Sequence, residues 1–137
     1  PNKMKREKIE TSKAPAAIGP YSQAIKTTLA DGVTTLYASG QIAIEPSTGK
    51  LVEGGIESQT HRVMQNIGAI LEKAGMGYSD VVKTTCLLAD INDFGIFNDV
   101  YSTYFKEDPS PARSTFAVAA LPKSALVEVE VVAIKRQ

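Results

Sequence analysis

The chain has 137 residues, with 15 lysines and arginines balanced by 15 aspartates and glutamates and a hydrophobic content of 43%. That size suits one soluble domain burying its own core, and zero net charge gives no broad footprint for nucleic acid or anionic lipid. A single cysteine, Cys86, excludes an internal disulfide and points to a reducing compartment, cytoplasmic by default with a mitochondrial location left open.

No apolar run approaches the roughly 18–20 residues needed to span a bilayer, and the opening PNKMKREKIE is too polar for a secretory signal. Met4 lies inside that run, so residues 1–3 are expected to be foreign to the native chain, with one domain over 1–137. KREKIET (Lys5 to Thr11) reads as a short edge strand. KAPAAIGPYSQ (Lys13 to Gln23), with its prolines and glycine, reads as loop. AIKTTLADGVTTLYASG follows as two strands joined at Asp31-Gly32, a strong hairpin signal, and EPSTGK (Glu45 to Lys50) is a further turn.

From Val63 onward, Val63, Met64, Ile67, Ile70, Leu71 and Ala74 recur at helical spacing, and Gly75 stops the helix. DVVKTTCLLAD (Asp80 to Asp90) is β-branched and reads as a strand. A second helix follows, capped by Asn92 or Asp93, with Phe94, Phe97, Val100, Tyr101, Tyr104 and Phe105 apolar and Phe97 able to reach a crevice wall. Pro109 and Pro111 end it. RSTFAVAAL and ALVEVEVVAIK close the chain as strands around a Pro-Lys-Ser turn. The order β-β-β-α-β-α-β-β implies an α+β fold, one six-stranded and mostly antiparallel sheet with two helices on one face.

Alternation along the last strand sends Val127, Val129, Val131 and Ala133 towards the helices. Leu126, Glu128, Glu130, Val132 and Ile134 face the other way. Two carboxylates followed by two bulky aliphatics suit neither solvent nor core. A subunit interface explains them, and a partly exposed sheet face is the plainer alternative. If the last two strands form a hairpin with residue numbers summing to about 243, Thr115 lies opposite Glu128 on the face of Arg113; a two-residue slip brings Glu130 there instead. Either register gathers an arginine, a hydroxyl and a carboxylate. An arginine fork suits a substrate carboxylate and a nearby glutamate can activate water, whereas a plain Arg–Glu ion pair is the alternative without chemistry.

Several stretches together are similar to one known family: APAAIGPYSQAI (Ala14 to Ile25), ASGQI (Ala38 to Ile42), VVKTTCLLADINDF (Val81 to Phe94), PARSTFAVAALPK (Pro111 to Lys123) and VEVEVVAI (Val127 to Ile134). From about Lys8 to Arg136 the chain resembles the Rid family, also called YjgF or RidA, the reactive intermediate deaminases. The resemblance implies a fold like that of the small trimeric chorismate mutases, assembled as a homotrimer with sites between subunits. It implies hydrolysis of reactive 2-imino or enamino acids (2-iminobutanoate, 2-iminopropanoate) to 2-oxo acids and ammonia, with no metal or organic cofactor. By motif, Arg113 would clamp the substrate carboxylate and Glu128 would orient the attacking water. Tyr21 would close the pocket, Ser39 and Gly40 would line it and contact the imino group, and Asn98 matches an asparagine of the second helix. Thr115 stands where many members carry cysteine, which puts any thiol-dependent chemistry in doubt.

The remaining candidates read as structural. His61 is a lone surface helix histidine without a metal-ligand cluster, Cys86 a small buried hydrophobe, and AGMG a helix stop that follows a helix and opens none, so it is no phosphate loop. Two other functions compete with the deaminase: an endoribonuclease or translation inhibitor, disfavoured by neutral charge and the lack of a histidine acid–base pair, and a non-catalytic trimer binding a small carboxylate as a regulator. The sequence leaves open the preferred imino acid, the proton donor to an enamine carbon and the effect of Thr115.

Overall fold

The strict alternation of the last strand decides the architecture of the protein, whose computed structural model describes residues 4–137. The expectation about residues 1–3 lies outside the described residues. Val127, Val129, Val131 and Ala133 are all essentially buried, beneath an α-helix that packs on that face. Burying each such valine contributes about 1.5–3 kcal/mol, so this strand belongs in the middle of the sheet.

The main sheet has six strands in the order β1-β2-β3-β8-β6-β7. They are β1 (Lys5–Ile9), β2 (Ala24–Thr28), β3 (Val33–Ala38), β6 (Val81–Leu88), β7 (Ala112–Ala117) and β8 (Val127–Arg136). β4 (Ile44–Glu45) and β5 (Lys50–Leu51) form a separate small hairpin around the expected EPSTGK turn. The Asp31-Gly32 turn joins β2 to β3, with Gly32 at φ +89°, a left-handed geometry that favours glycine. Every pairing in the main sheet is antiparallel except β6 with β7.

The expected hairpin between the last two strands does not form. β8 pairs with β3 on one side and β6 on the other, and β7 runs parallel to β6 at the sheet edge. The physical reason is a competition for the central position. β8 offers a continuous apolar face, whereas β7 is short and preceded by two prolines, a composition tolerated at an edge. A helix between β6 and β7 supplies the crossover that a parallel pair needs. The 118–126 segment then carries the chain across the end of β6, where Val118 N–H donates to Leu88 O (2.9 Å) and Ala89 N–H to Leu126 O (3.0 Å).

Helix α1 spans Ile56–Lys73 and α2 spans Phe94–Tyr104. The expected core residues Val63, Met64, Ile67, Ile70 and Leu71 are fully buried, and Gly75 at φ +78° ends α1 as expected. α1 begins seven residues before Val63, because its first turns bury polar side chains that break the apolar period. Gln59 Oε1 accepts from Leu126 N–H (2.9 Å) and the Thr60 hydroxyl donates to Ile56 O (2.7 Å). α2 is entered through a 3-10 turn, and Asp93 is its N-cap by position, as expected, but without a side-chain capping bond. Asp90 Oδ1 accepts from Asn92 N–H at 2.9 Å instead. Phe97, expected able to reach a crevice, is wholly buried. Among the described residues no helix is long and apolar enough to cross a membrane.

The small β4/β5 hairpin is pinned from behind by α1. Buried Asn66 donates through Nδ2 to Ile42 O (3.3 Å) and Ile44 O (2.9 Å). Its Oδ1 accepts from Arg62 Nε (3.1 Å), while Arg62 Nη1 holds Glu45 at 3.2 Å. Replacing Asn66 by leucine removes the donors: Ile42 O keeps the Ile44 N–H (2.8 Å), but Ile44 O loses its side-chain partner and Arg62 Nε its acceptor. Asn66→Leu is expected to lower the unfolding free energy by about 2–3 kcal/mol, measured by urea denaturation against the wild type.

Candidate active site

The residues expected to act together lie in two groups. Ladder partners share a face, so the register assigns each side chain. Thr84 pairs with both Arg113 and Val131, and Cys86 with both Thr115 and Val129. Arg113 and Thr115 therefore face the helices. Leu87 pairs with Glu128 and Phe116, and Thr85 with Glu130 and Ser114, which puts both glutamates on the opposite face. The expectation that Arg113 and Thr115 share the face of Glu128 is thus overturned, because it depended on a β7/β8 hairpin.

Around Arg113, α2 supplies a prepared seat. Asn98 Oδ1 accepts from Arg113 Nη1 at 2.8 Å. The guanidinium carbon lies 4.7 Å from the Tyr101 ring centroid and 5.4 Å from that of Phe94, within range for cation–π attraction. Phe94, Asn98 and Tyr101 stand at i, i+4 and i+7, so one stripe of α2 faces the guanidinium. Thr115, the next inward residue of β7, has an enclosed Oγ1. This oxygen acts weakly on the Cys86 thiol but meets no partner at hydrogen-bond geometry. Burial pushes the Cys86 thiol above its ordinary range, so it is no ready nucleophile.

The second group lines a cleft of about 610 Å³ that includes Tyr21, Ser39, Gly40 and Glu128 together with Ile18, Ile42 and Lys123. Asn98, Arg113 and Thr115 do not line it. A reciprocal backbone bridge between Gln41 and Val129 (2.9 and 3.1 Å) sets Gly40 beside Glu128. A side chain at Gly40 would meet the Glu128 carboxylate, the end of a flexible side chain that would have to turn aside, so glycine lets the carboxylate rest directly on the backbone. The Ser39 hydroxyl donates to Ser22 O at 2.6 Å, tying the strand end to the loop that carries Tyr21. The buried amide of Gln23 fastens the root of that loop through Thr11 N–H (2.7 Å), Thr11 O (3.0 Å) and Pro15 O (2.7 Å). Tyr21 itself is 52% exposed.

Burial, and then repulsion from Glu130, push the Glu128 carboxyl above the usual glutamate range. None of the ion pairs of the described residues engages Glu128 or Arg113. The first group can hold a carboxylate; the second can take a proton from water. Among the described residues no group of three His, Cys, Asp or Glu side chains could hold a metal ion. His61 Nδ1 is instead bonded to the Tyr104 hydroxyl at 2.8 Å.

A family model described as Endoribonuclease L-PSP matches residues 11–135. The solved structure of YyfA from Yersinia pestis, a protein of the Rid family, is 53% identical, with a TM-score of 0.85 over 94% of this chain and 98% of that one. The chain belongs to the Rid family. A Rid relative from Rattus norvegicus, a 2-iminobutanoate/2-iminopropanoate deaminase, is 52% identical over 130 residues, 95% of this chain and 90% of that protein. TdcF of Escherichia coli, solved with bound serine, is 37% identical with a TM-score of 0.83, covering 94% of this chain and 98% of that one.

Phe94, Tyr101, Gln23 and Lys123 are site neighbours that sequence reasoning missed. The i, i+4, i+7 spacing around Asn98 was the available signal for the first two, concealed because both aromatics also fit a core face. The contact between Gly40 and Glu128 gives a direct check. Gly40→Ala is expected to turn the Glu128 carboxylate aside and destabilise the fold by about 1 kcal/mol, the low end for overpacking, and by clearly less in a Glu128→Ala background. Equal losses in both backgrounds, measured by denaturation as a double-mutant cycle, would show that the two residues do not meet.

Proposed function

We propose that this Rid protein hydrolyses 2-iminobutanoate and 2-iminopropanoate to 2-oxo acids and ammonia, in clefts shared between subunits of a homotrimer. The observation that carries the activity is the deaminase relative at 52% identity across 95% of the chain. Serine bound to TdcF presents the same α-carboxylate as these imino acids, which supports a site built for a small amino-acid-like anion. A site shared between copies is supported by the separation within one chain: Arg113 and Glu128 lie on opposite faces of one sheet, so serving one substrate together takes them from different copies, as a homotrimer provides. On the Glu128 face Tyr37, Phe116 and Ile134 are 53%, 52% and 43% exposed, apolar surface that two further copies would cover.

In this reading Arg113 grips the substrate carboxylate with paired N–H donors, held in place by Asn98. Thr115 lies beside that grip, its unpaired hydroxyl enclosed within the chain. Tyr21 closes the cleft over Ser39 and Gly40, which form its floor. Glu128, made more basic by burial and by Glu130, takes a proton from water as the water oxygen bonds to the imine carbon. The proton passes to nitrogen, and collapse of the resulting carbinolamine expels ammonia and leaves the 2-oxo acid. No metal or organic cofactor enters this scheme. Fixing an already electrophilic carbon against a positioned water accounts for most of the rate gain.

The family description favours endoribonuclease as a second reading. The single histidine is engaged with Tyr104, which leaves RNA cleavage without an imidazole acid–base pair. RNA cleavage by purified protein that is lost in Arg113→Ala would favour that reading instead.

Adding the protein to a threonine dehydratase reaction is expected to speed release of ammonia and 2-oxobutanoate. Arg113→Ala should reduce this effect about a hundredfold or more, and a fully active variant would remove the carboxylate clamp. The rate should fall on the acid side as Glu128 is protonated, with an inflection above the usual glutamate range because its carboxyl is shifted upward; Glu128→Gln should abolish that limb and lower kcat about 10²–10⁴-fold. Co-assembly of equal amounts of Arg113→Ala and Glu128→Gln chains should restore about a quarter of the wild-type sites. Mixtures that stay inactive would place the site within one chain.

A further inference from the structure

We infer that Thr84 and Tyr101 are positioning residues for Arg113, a hydroxyl and an aromatic ring that together fix where the guanidinium presents itself. The inference rests on the reading of Arg113 as the carboxylate clamp. Three elements meet at this point. Thr84 of β6 and Arg113 of β7 are direct partners in the parallel ladder, so their side chains rise from the sheet side by side towards α2. Tyr101 comes down from α2 over both. Its hydroxyl lies 2.8 Å from Thr84 Oγ1, and its ring centroid lies 4.7 Å from the guanidinium carbon of Arg113.

Burial makes this arrangement more than a contact. Thr84 is fully buried and Tyr101 is only 7% exposed, so a phenol at this depth needs a partner for its O–H, and Thr84 supplies it. With the hydroxyl tied, the ring cannot swing. It is also backed along α2 by Phe97 and Phe105, whose centroids lie 5.6 and 4.6 Å away. The aromatic face is thereby presented to Arg113 in one orientation. Asn98 secures the guanidinium from one nitrogen, and the Tyr101 ring sets the plane on which it rests. Phe94 adds a second ring at the more exposed side. An arginine side chain loses much rotamer freedom when it grips an anion, and a seat built beforehand removes part of that cost from the binding step. Neither Thr84 nor Tyr101 lines the cleft that contains Glu128. Their influence therefore falls on binding of the substrate acid group and leaves the water-activating step alone.

The experiment compares Thr84→Val, Tyr101→Phe, Tyr101→Leu and Arg113→Ala in the assembled protein. It measures KM and kcat for imine hydrolysis and the dissociation constant of 2-oxobutanoate by calorimetry. Thr84→Val and Tyr101→Phe are each expected to weaken 2-oxobutanoate binding and raise KM about threefold, with kcat held. Their double variant should lose no more than either alone, since both break the same bond. Tyr101→Leu removes the ring and should raise KM about tenfold. Should the leucine variant fail to fold, the nearly isosteric Thr84→Val and Tyr101→Phe pair decides. Wild-type KM and 2-oxobutanoate affinity in that pair would overturn the inference, as would additive losses in their double variant or a fall confined to kcat. Arg113→Ala separates the two levels. If it leaves binding intact, the clamp reading fails; if it abolishes binding while the Thr84 and Tyr101 variants bind normally, only the positioning role fails.

Discussion

The fold follows from where β8 can lie. A strand with four consecutive inward positions occupied by valine or alanine must be covered by helix along its length and paired on both edges. Taking the centre between β3 and β6, it displaces β7 to the rim, and β7 is then reached only by a helical crossover. Parity does the rest. Because Thr84 pairs with Val131 on one side and Arg113 on the other, Arg113 inherits the helix-facing side of the sheet, while Glu128 keeps the open one.

This division leaves each half electrically incomplete. Arg113 is held by a neutral amide and two aromatic faces, none of which cancels its charge. Glu128 sits beside another carboxylate and under partial burial, both of which raise its proton affinity. An internal ion pair between the two would have satisfied both, occupying the guanidinium donors and drawing the Glu128 carboxyl down. Keeping them on separate faces preserves a cation with free donors and a carboxylate with enhanced basicity. The stability cost of two unpaired charges is moderated because neither is fully buried.

Element order and most of the core were legible from local pattern, because apolar periodicity and turn chemistry act over a few residues. Val63 through Leu71 on α1, the Asp31-Gly32 hairpin and the inward face of β8 all follow from that range. The partner of β7 was not legible. Adjacent strands usually pair, and nothing local to β7 reports that β8 is the better neighbour for β6; the competition is settled by burial across the whole sheet. The first turns of α1 were hidden for the opposite reason, since Gln59 and Thr60 face inward and satisfy themselves on Leu126 and Ile56. The identities of Arg113 and Glu128 were visible in the motifs, but their faces depended on the pairing, and so did the site.

The Tyr21 loop shows how backbone accounting can fix a flexible-looking segment at its root and leave its tip free. Residues 11–23 form no strand or helix, so their carbonyls need partners from elsewhere. Gln23 and Ser39 provide them: one buried amide reaches Thr11, Ala14 and Pro15, and one hydroxyl takes Ser22. With these bonds made, the main chain on either side of Tyr21 is anchored to the sheet. The exposed ring keeps its own torsional freedom. Movement over the cleft then needs only side-chain rotation, on the picosecond-to-nanosecond scale of exposed rotamers, and no refolding of the loop. In the proposed reading, where Tyr21 closes the cleft, a residue mounted this way follows substrate in and out without moving the loop beneath it.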